Sequence, residues 1–486
     1  MSQDNNRDAA WRVALRNAKT AKERTATPRV VMPQLNPDYR VTCNEEVNQG
    51  LSAEQALLEA SRCLDCPDPQ CMQGCPVAVN IPGFVKNVER GEFLEAAAVL
   101  KNTSALPAVC GRVCPQEKQC ESRCIYNKMK KQPVAIGYLE RFAADYERKE
   151  RAEHPVEVQR PVSNGIKVAV VGSGPAGLSF AGDMVKRGYD VTVYEALHEI
   201  GGVLKYGIPE FRLPNSVVEA EIDGLRSLGV NFVKDCVVGK TLSYDDLHSL
   251  GYKGVFVASG AGLPRFMGIP GENYIGVMSS NEYLTRMNLM GAGRQGEDTP
   301  VLKGNRVAVI GGGNTAMDSV RTARRQGAEV AMIVYRRSEA EMPARIEEVA
   351  HAKEEGVQFM TLCNPVEYLP DEHGRVRAMK IQRMELGEPD ESGRRSPQPI
   401  PGAIEEIPVD LVIVSVGVSP NPLIPNAISD LEVSRRGTIV VNDATMQSSI
   451  SDLYAGGDIV RGGATVILAM GDGRHAAQSM HDALSR

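Results

Sequence analysis

Val170-Val171-Gly172-Ser173-Gly174-Pro175-Ala176-Gly177 decides the fold. It closes the β-branched run IKVAVVG at 166–172 and opens a stretch of helix formers, so it marks a strand turning into a helix. Gly172 makes the tight turn, Gly174 lets backbone approach a pyrophosphate, and Gly177 lets helix and strand pack closely. Pro175 and Ala176 lie in the same turn, where free N–H groups at the helix start face the phosphates. Glu195 ends the next strand, VTVYEA, where an acid can bind a ribose 2′-hydroxyl. A lone G-x-G-x-x-G says little. Strand, helix and acid together predict a bound ADP moiety.

The pattern recurs. RVAVIGG at 306–312 leads into Gly311-Gly312-Gly313-Asn314-Thr315-Ala316-Met317-Asp318, a G-x-G-x-x-A form of the fingerprint. Two strand–turn–helix–strand units predict parallel sheets and two dinucleotide-binding domains. The second unit's next strand, EVAMIVYRR, ends in Arg336 and Arg337 rather than an acid. Arginine there accommodates the 2′-phosphate of NADP, although a solvated basic turn would read the same way. Arg324 and Arg325 are expected to face solvent. Near the C-terminus, Leu453–Asp458 reads as a strand ending in Gly457-Asp458, followed by GGATVILAMGDGRHAA. Asp458 can bind the ribityl or pyrophosphate part of FAD, and a helix starting near Ala464, Thr465 and Val466 can turn its positive end toward reduced flavin. Asp458 as a turn residue that caps the helix is the plainer alternative.

Before residue 150 the texture changes. Residues 51–150 read as all-helical, as in Ala53–Leu64 and Phe84–Leu100, after an amphipathic helix over 8–22 and an extended arm. A linker is read at 153–165. Eight of the eleven cysteines fall between Cys63 and Cys124. They form Cys63-x2-Cys66-x4-Cys71-x3-Cys75-Pro and Cys110-x3-Cys114-x5-Cys120-x3-Cys124. A run ending Cys-x3-Cys-Pro is used in two-cluster ferredoxins, where the last cysteine serves the other cluster. Structural zinc is the alternative, but it could not use the electrons of a flavin. Cys43, Cys236 and Cys363 are read as ordinary thiols.

The chain has 486 residues, enough for about three domains, with 42% apolar and 24% charged residues, as in globular proteins. A net charge of −6 gives no support for binding nucleic acid or membranes. No run is apolar enough to cross a bilayer, and the polar start MSQDNNRDAAWR lacks a signal-peptide core, so the cytoplasm is expected. No Ser-His-Asp signature or histidine metal spacing is present, so no catalytic acid, base or nucleophile is named. Hydride transfer from a nicotinamide to a flavin needs little more from the protein than orientation and exclusion of water.

Longer stretches carry a resemblance: ASRCLDCPDPQCMQGCPVAVNIPGF, LPAVCGRVCPQEKQCESRC, PVAIGYLERF, GGVLKYGIPEFRLP, GGGNTAMD, YRRSEAEMPAR and YAGGD. From about residue 40 onward the chain resembles the small (β) subunit of NADPH-dependent glutamate synthase. It is also similar to the large subunit of NADH-dependent ferredoxin:NADP oxidoreductase and to the N-terminal half of dihydropyrimidine dehydrogenase. The resemblance implies an N-terminal all-α iron–sulfur domain followed by two α/β Rossmann-like domains, the FAD domain carrying an inserted NADP domain. On this chain that places an arm at 1–40, two 4Fe-4S clusters in 41–152, FAD parts at 166–285 and 411–486, and the NADP domain at 286–410. It adds Gly202 and Leu204 to the flavin site. One cluster would take Cys63, Cys66, Cys71 and Cys124, the other Cys75, Cys114, Cys120 and Glu140. Spacing alone favours Cys110 over Glu140 as the eighth ligand. The implied role is electron input from NADPH to a large glutamate synthase subunit within an oligomer. The alternative is a ferredoxin-linked, bifurcating transhydrogenase with a small flavoprotein or ferredoxin partner, a branch to which LPAVCGRVCP is somewhat closer. A zinc-stabilised disulfide reductase would need a Cys-x-x-Cys downstream of Cys124, and none is present.

Overall fold

The structure is a computed structural model that describes residues 6–293, 296–391 and 393–485. Up to Glu153 these residues are helical. Ser52 and Gln55 form a capping box that starts the helix Ala53–Ala60. Pro107 takes the first turn of Pro107–Val113, where its missing N–H costs nothing. That helix lies directly on Ile136–Glu153. A Cβ at Gly111 would come within 2.5 Å of the Arg141 nitrogen, so only glycine permits this approach. The helix expected over 8–22 is two, Ala10–Ala18 and Ala21–Ala26. The break comes where Lys19 turns extended and Thr20 caps the second helix, accepting from Glu23 N at 3.2 Å. The periodic stretch 84–100 likewise splits at Gly91, which takes φ +83 between Ile81–Glu89 and Phe93–Lys101.

Two five-stranded parallel sheets follow. The first runs Leu453–Ala455, Tyr252–Val257, Lys167–Val171, Asp190–Tyr194, Asn231–Val233. The second runs Val277–Ser279, Leu411–Val414, Arg306–Ile310, Val330–Tyr335, Gln358–Thr361. Val168–Val171 and Val307–Ile310 are buried throughout, as expected of β-branched strands covered on both faces. Val277–Ser279 and Leu411–Val414 both pair in the second sheet, which therefore draws strands from either side of the 286–410 span. A three-stranded antiparallel sheet, Cys363–Pro370, Val376–Pro389 and Arg395–Pro408, stands beside it.

One continuous apolar core joins the N-terminal helices to the first sheet, taking in Phe84, Leu139, Phe180 and Met470. The second sheet has its own cores, which draw on none of the thiol-bearing helices. Its link to the N-terminus includes a buried ion pair: Glu355, held within its own unit by Arg321 at 2.8 Å and Arg325 at 2.8 Å, accepts from Arg40 at 2.9 Å. Arg325 therefore departs from the expectation of solvent exposure. Its side chain is 2% exposed and its guanidinium lies 3.9 Å from the Phe211 ring centroid. Arg324 is half-buried, donating to Glu355 O and Ala328 O. Helix position alone could not reveal that a distant segment covers that face.

Candidate nucleotide and cluster sites

Gly172 and Gly177 have the strictest steric demands. Gly172 takes φ +103, and a Cβ there would lie 2.4 Å from Ala258 O. A Cβ on Gly177 would lie 2.0 Å from Gly172 O. Together they hold the turn flat under a cavity of about 850 Å³. Gly172, Gly174, Pro175, Glu195 and Gly202 line this cavity. Glu195 accepts from Ser173 N at 2.9 Å, Ser173 Oγ at 2.5 Å and Leu197 N at 2.9 Å, so the acid fixes the turn it faces.

Other expected flavin residues do not line this cavity. Ala176 and Leu204 are buried in the core. A Cβ on Gly457 would lie 3.1 Å from Ala176 Cβ, so Gly457 presses on the fingerprint helix. Asp458 Oδ1 accepts from Ala464 N at 2.7 Å, closing the loop ahead of the helix rather than capping the helix itself, and burial raises its carboxyl to about 6. Thr465 caps the helix Val466–Leu484. Sequence reading missed Asp472, 1% exposed, which accepts from Gly457 N at 2.9 Å and pairs with Arg461. Nothing in its local sequence marked it out.

A second cavity of about 720 Å³ is lined by Gly311, Gly313, Thr315, Arg336 and Arg337. Gly311 takes φ +142, and a Cβ would lie 2.3 Å from Ser415 O. The two arginines differ. Arg336 is exposed, whereas Arg337 is buried and donates to Asp390 at 2.5 Å and Arg395 O at 2.8 Å. Asn314, Ala316 and Asp318 lie outside the lining. Asn314 Oδ1 accepts from Arg345 N at 2.9 Å, Ala316 is fully buried, and Asp318 pairs with Arg212 at 2.8 Å. Burial lifts Asp318 to about 6 against the pull of Arg212. Pro264, Phe266 and Asn281 line both cavities, so the two abut.

The cysteines are all free. Burial pushes Cys71 up, and Cys63, Cys124 and Cys66 add to the shift. Burial also raises Cys120, with Glu140, Cys75 and Cys71 contributing. Cys114 is raised with Glu140, Cys120 and Cys75 nearby. Thus Cys63, Cys66 and Cys124 lie near Cys71, Cys75 and Glu140 lie near Cys114 and Cys120, and Cys71 is near Cys120 as well. Among the described residues no three such side chains converge as a site for a single ion.

The donor set fits soft iron–sulfur ligation. Burial pushes the Cys63 and Cys75 thiols up, each to about 11, so an electropositive partner would offset that cost. Glu140 is 9% exposed with no hydrogen bond or ion pair among the described residues, and burial, then Glu221, raises it to about 8. Cys110 Sγ lies 3.5 Å from Met470 Sδ and also meets Cys114. Asp65, between Cys63 and Cys66 at φ 52, accepts from Arg12 at 2.5 Å and Arg16 at 2.8 Å, so the N-terminal helix clamps the first thiol loop. Of the lone thiols, Cys236 and Cys363 are buried and Cys43 half-buried. No described helix is long and apolar enough to cross a membrane.

Residues 40–152 match the family described as dihydropyrimidine dehydrogenase domain II, 4Fe-4S cluster, and residues 166–473 match pyridine nucleotide-disulphide oxidoreductase. The glutamate synthase (NADPH) small chain of Azospirillum brasilense is 37% identical over 90% of each chain. The NADP(+)-dependent formate dehydrogenase subunit beta of Moorella thermoacetica is 39% identical over 84% of this chain, which spans 59% of that protein. FprA from Mycobacterium tuberculosis, solved with NADPH, superposes with TM-score 0.55 at 22% identity, covering 66% of this chain and 85% of that one. That likeness concerns the fold.

Proposed function

The chain belongs to the family of pyridine nucleotide-disulphide oxidoreductases that includes the glutamate synthase (NADPH) small chains, and from that membership we propose that it is an electron-input subunit taking electrons from NADPH. The single observation that carries this reading is that the two nucleotide cavities share Pro264, Phe266 and Asn281 as wall. A nicotinamide and a flavin placed from either side would meet there.

Within this reading, Gly172, Gly174 and the start of Pro175–Val185 cradle one pyrophosphate, and Glu195, steadied by Ser173, accepts from a ribose hydroxyl. Gly311 and Gly313 cradle the second nucleotide, and Arg336 with Arg337 carries the charge that favours a 2′-phosphate. Bound FAD would supply the conversion of electron pairs to single electrons, and two 4Fe-4S clusters a one-electron relay. Cys63, Cys66, Cys71 and Cys124 would hold one cluster, and Cys75, Cys114, Cys120 and Glu140 the other. A Cβ on Gly471 would lie 3.1 Å from Pro76 O, so the C-terminal helix packs against the second thiol group. The NADP unit is taken as about 277–414, inserted between the FAD parts. A larger subunit forming glutamate is the proposed partner in a cytoplasmic, oligomeric assembly. The formate dehydrogenase relative keeps open a different partner chain, as a ferredoxin-linked transhydrogenase would have.

Anaerobic native purification tests the whole reading. The protein should carry FAD and iron and bring down a large chain. A small flavoprotein as the only companion would favour the transhydrogenase reading, and an iron-free protein would end both. Arg336→Ala should weaken NADPH at least about tenfold while leaving NADH nearly unchanged, since one charge-assisted phosphate contact is worth that much. Equal losses for both nucleotides would refute the assignment.

A further inference from the structure

The strands Val376–Pro389 and Arg395–Pro408 form a long hairpin that ends at the mouth of the second cavity. Its tip closes on Asp390. Asp390 N donates to Arg394 O at 2.7 Å, and Arg394 N donates back to the Asp390 side chain at 3.3 Å. Arg337, just past the strand Val330–Tyr335, reaches across to this tip. It donates to Asp390 Oδ2 at 2.5 Å and to Arg395 O at 2.8 Å, one contact on each side of Arg394. Arg394 lines the cavity with Gly311, Gly313 and Arg336.

We propose that Arg394 is a further specificity-determining residue for a nucleotide bearing a 2′-phosphate, and that Arg337 and Asp390 are the positioning pair that presents it. The inference rests on reading this cavity as the NADPH site. Arg337 commits its Nε–H and one Nη2–H to the hairpin, so its remaining N–H donors meet a phosphate only in the orientation the hairpin sets. Arg336 is exposed at the rim, where water screens a single charge. The Arg394 guanidinium, lining the same cavity, would add the planar, paired donors that such a dianion takes. Asp390 would repel a phosphate if its charge were unmatched. Pairing with Arg337 offsets it, and the Asp390 hydrogen bonds tie this acid to the backbone of Arg394. A nucleotide lacking the phosphate gains nothing from this arrangement.

The test uses the purified holoprotein and two probes, 2′,5′-ADP and 5′-AMP, followed by calorimetric titration. Arg394→Ala should weaken 2′,5′-ADP about tenfold and leave 5′-AMP unchanged, with Arg394→Lys recovering part of the loss. Asp390→Ala should weaken 2′,5′-ADP several-fold and Asp390→Glu restore it, as a positioning role requires. Full 2′,5′-ADP affinity in Arg394→Ala would overturn the hairpin assignment while leaving the cavity reading intact. Tighter 2′,5′-ADP binding in Asp390→Ala would overturn the positioning role, because the acid would then only oppose the phosphate. A wild-type protein that does not distinguish the two probes would overturn the cavity reading itself.

Discussion

Where the thiol-bearing helices meet the first sheet, the contact is mainly apolar; where they meet the second, it is polar and charged. Met470, fully buried, touches Cys110, and Phe180 stacks on Phe256 at 4.4 Å within the core that also contains Phe84 and Leu139. On the other side, Arg345 donates to Arg112 O at 2.5 Å and Gln116 at 3.0 Å, and Arg40 pairs with Glu355. Apolar packing is non-directional and is not screened by salt, which suits groups whose separation must stay fixed while electrons pass. Ion pairs hold only in their own geometry and protonation state. The flavin unit and the thiols thus behave as one body, and the nucleotide-exchanging unit is fastened to it by bonds that charge can undo.

The largest expected effect tests the ionic side. Glu355→Gln leaves Arg40, Arg321 and Arg325 around a neutral amide, and removing one partner of a buried pair costs about 3–5 kcal/mol. Calorimetry should show the second unit melting earlier while release of flavin keeps its midpoint. A shift of both together would erase the distinction. Acid should act in the same place. Burial would raise Glu348 and Glu355, but Arg212 and Arg321 outweigh it for the first, and Arg321 and Arg325 for the second, holding each at about 2 against an ordinary 4.5. A carboxylate with a lowered folded pKa stabilises the fold above its unfolded value. That contribution is full above about pH 4.5 and is lost as pH falls toward 2.

Met470→Ala tests the apolar side. The truncation should cost roughly 2–5 kcal/mol, with the loss read as earlier flavin release in urea. Added salt should leave that loss unchanged. If salt restored the stability, the contact would not be the apolar one inferred here.

The apolar side was largely legible in the sequence and the ionic side was not. Gly172, Gly177 and Gly311 each answer a local steric need, so their spacing alone pointed to strand, turn and helix. The two cysteine runs marked the thiol region, while the assignment of individual thiols to clusters came from the family resemblance rather than from loop length. Arg325, Asp318 and Arg345 resisted reading because their partners lie far along the chain: Arg325 and Asp318 meet Glu355 and Arg212, and Arg345 meets Gln116. Asp318 shows the hazard. It sits in the fingerprint and was assigned to the nucleotide, yet its carboxylate faces Arg212 from the stretch GGVLKYGIPEFRLP. Arg394 was invisible for the opposite reason: a hairpin tip has no motif.

The smallest effect sharpens the boundary between buried and exposed ties. Lys118 Nζ donates to Pro343 O at 2.9 Å and Ala344 O at 3.3 Å, joining the thiol-bearing helices to the loop before Ile346–Glu354. It is an exposed side chain, so water can replace either bond with little loss. Lys118→Ala should therefore change the melting of the second unit by less than about 1 kcal/mol, and high salt should shrink even that. A loss comparable to that of Glu355→Gln would mean that the rim, rather than the buried cluster around Glu355, fastens the two units. The electrostatic strength of the joint would then follow exposure in the reverse of the expected order.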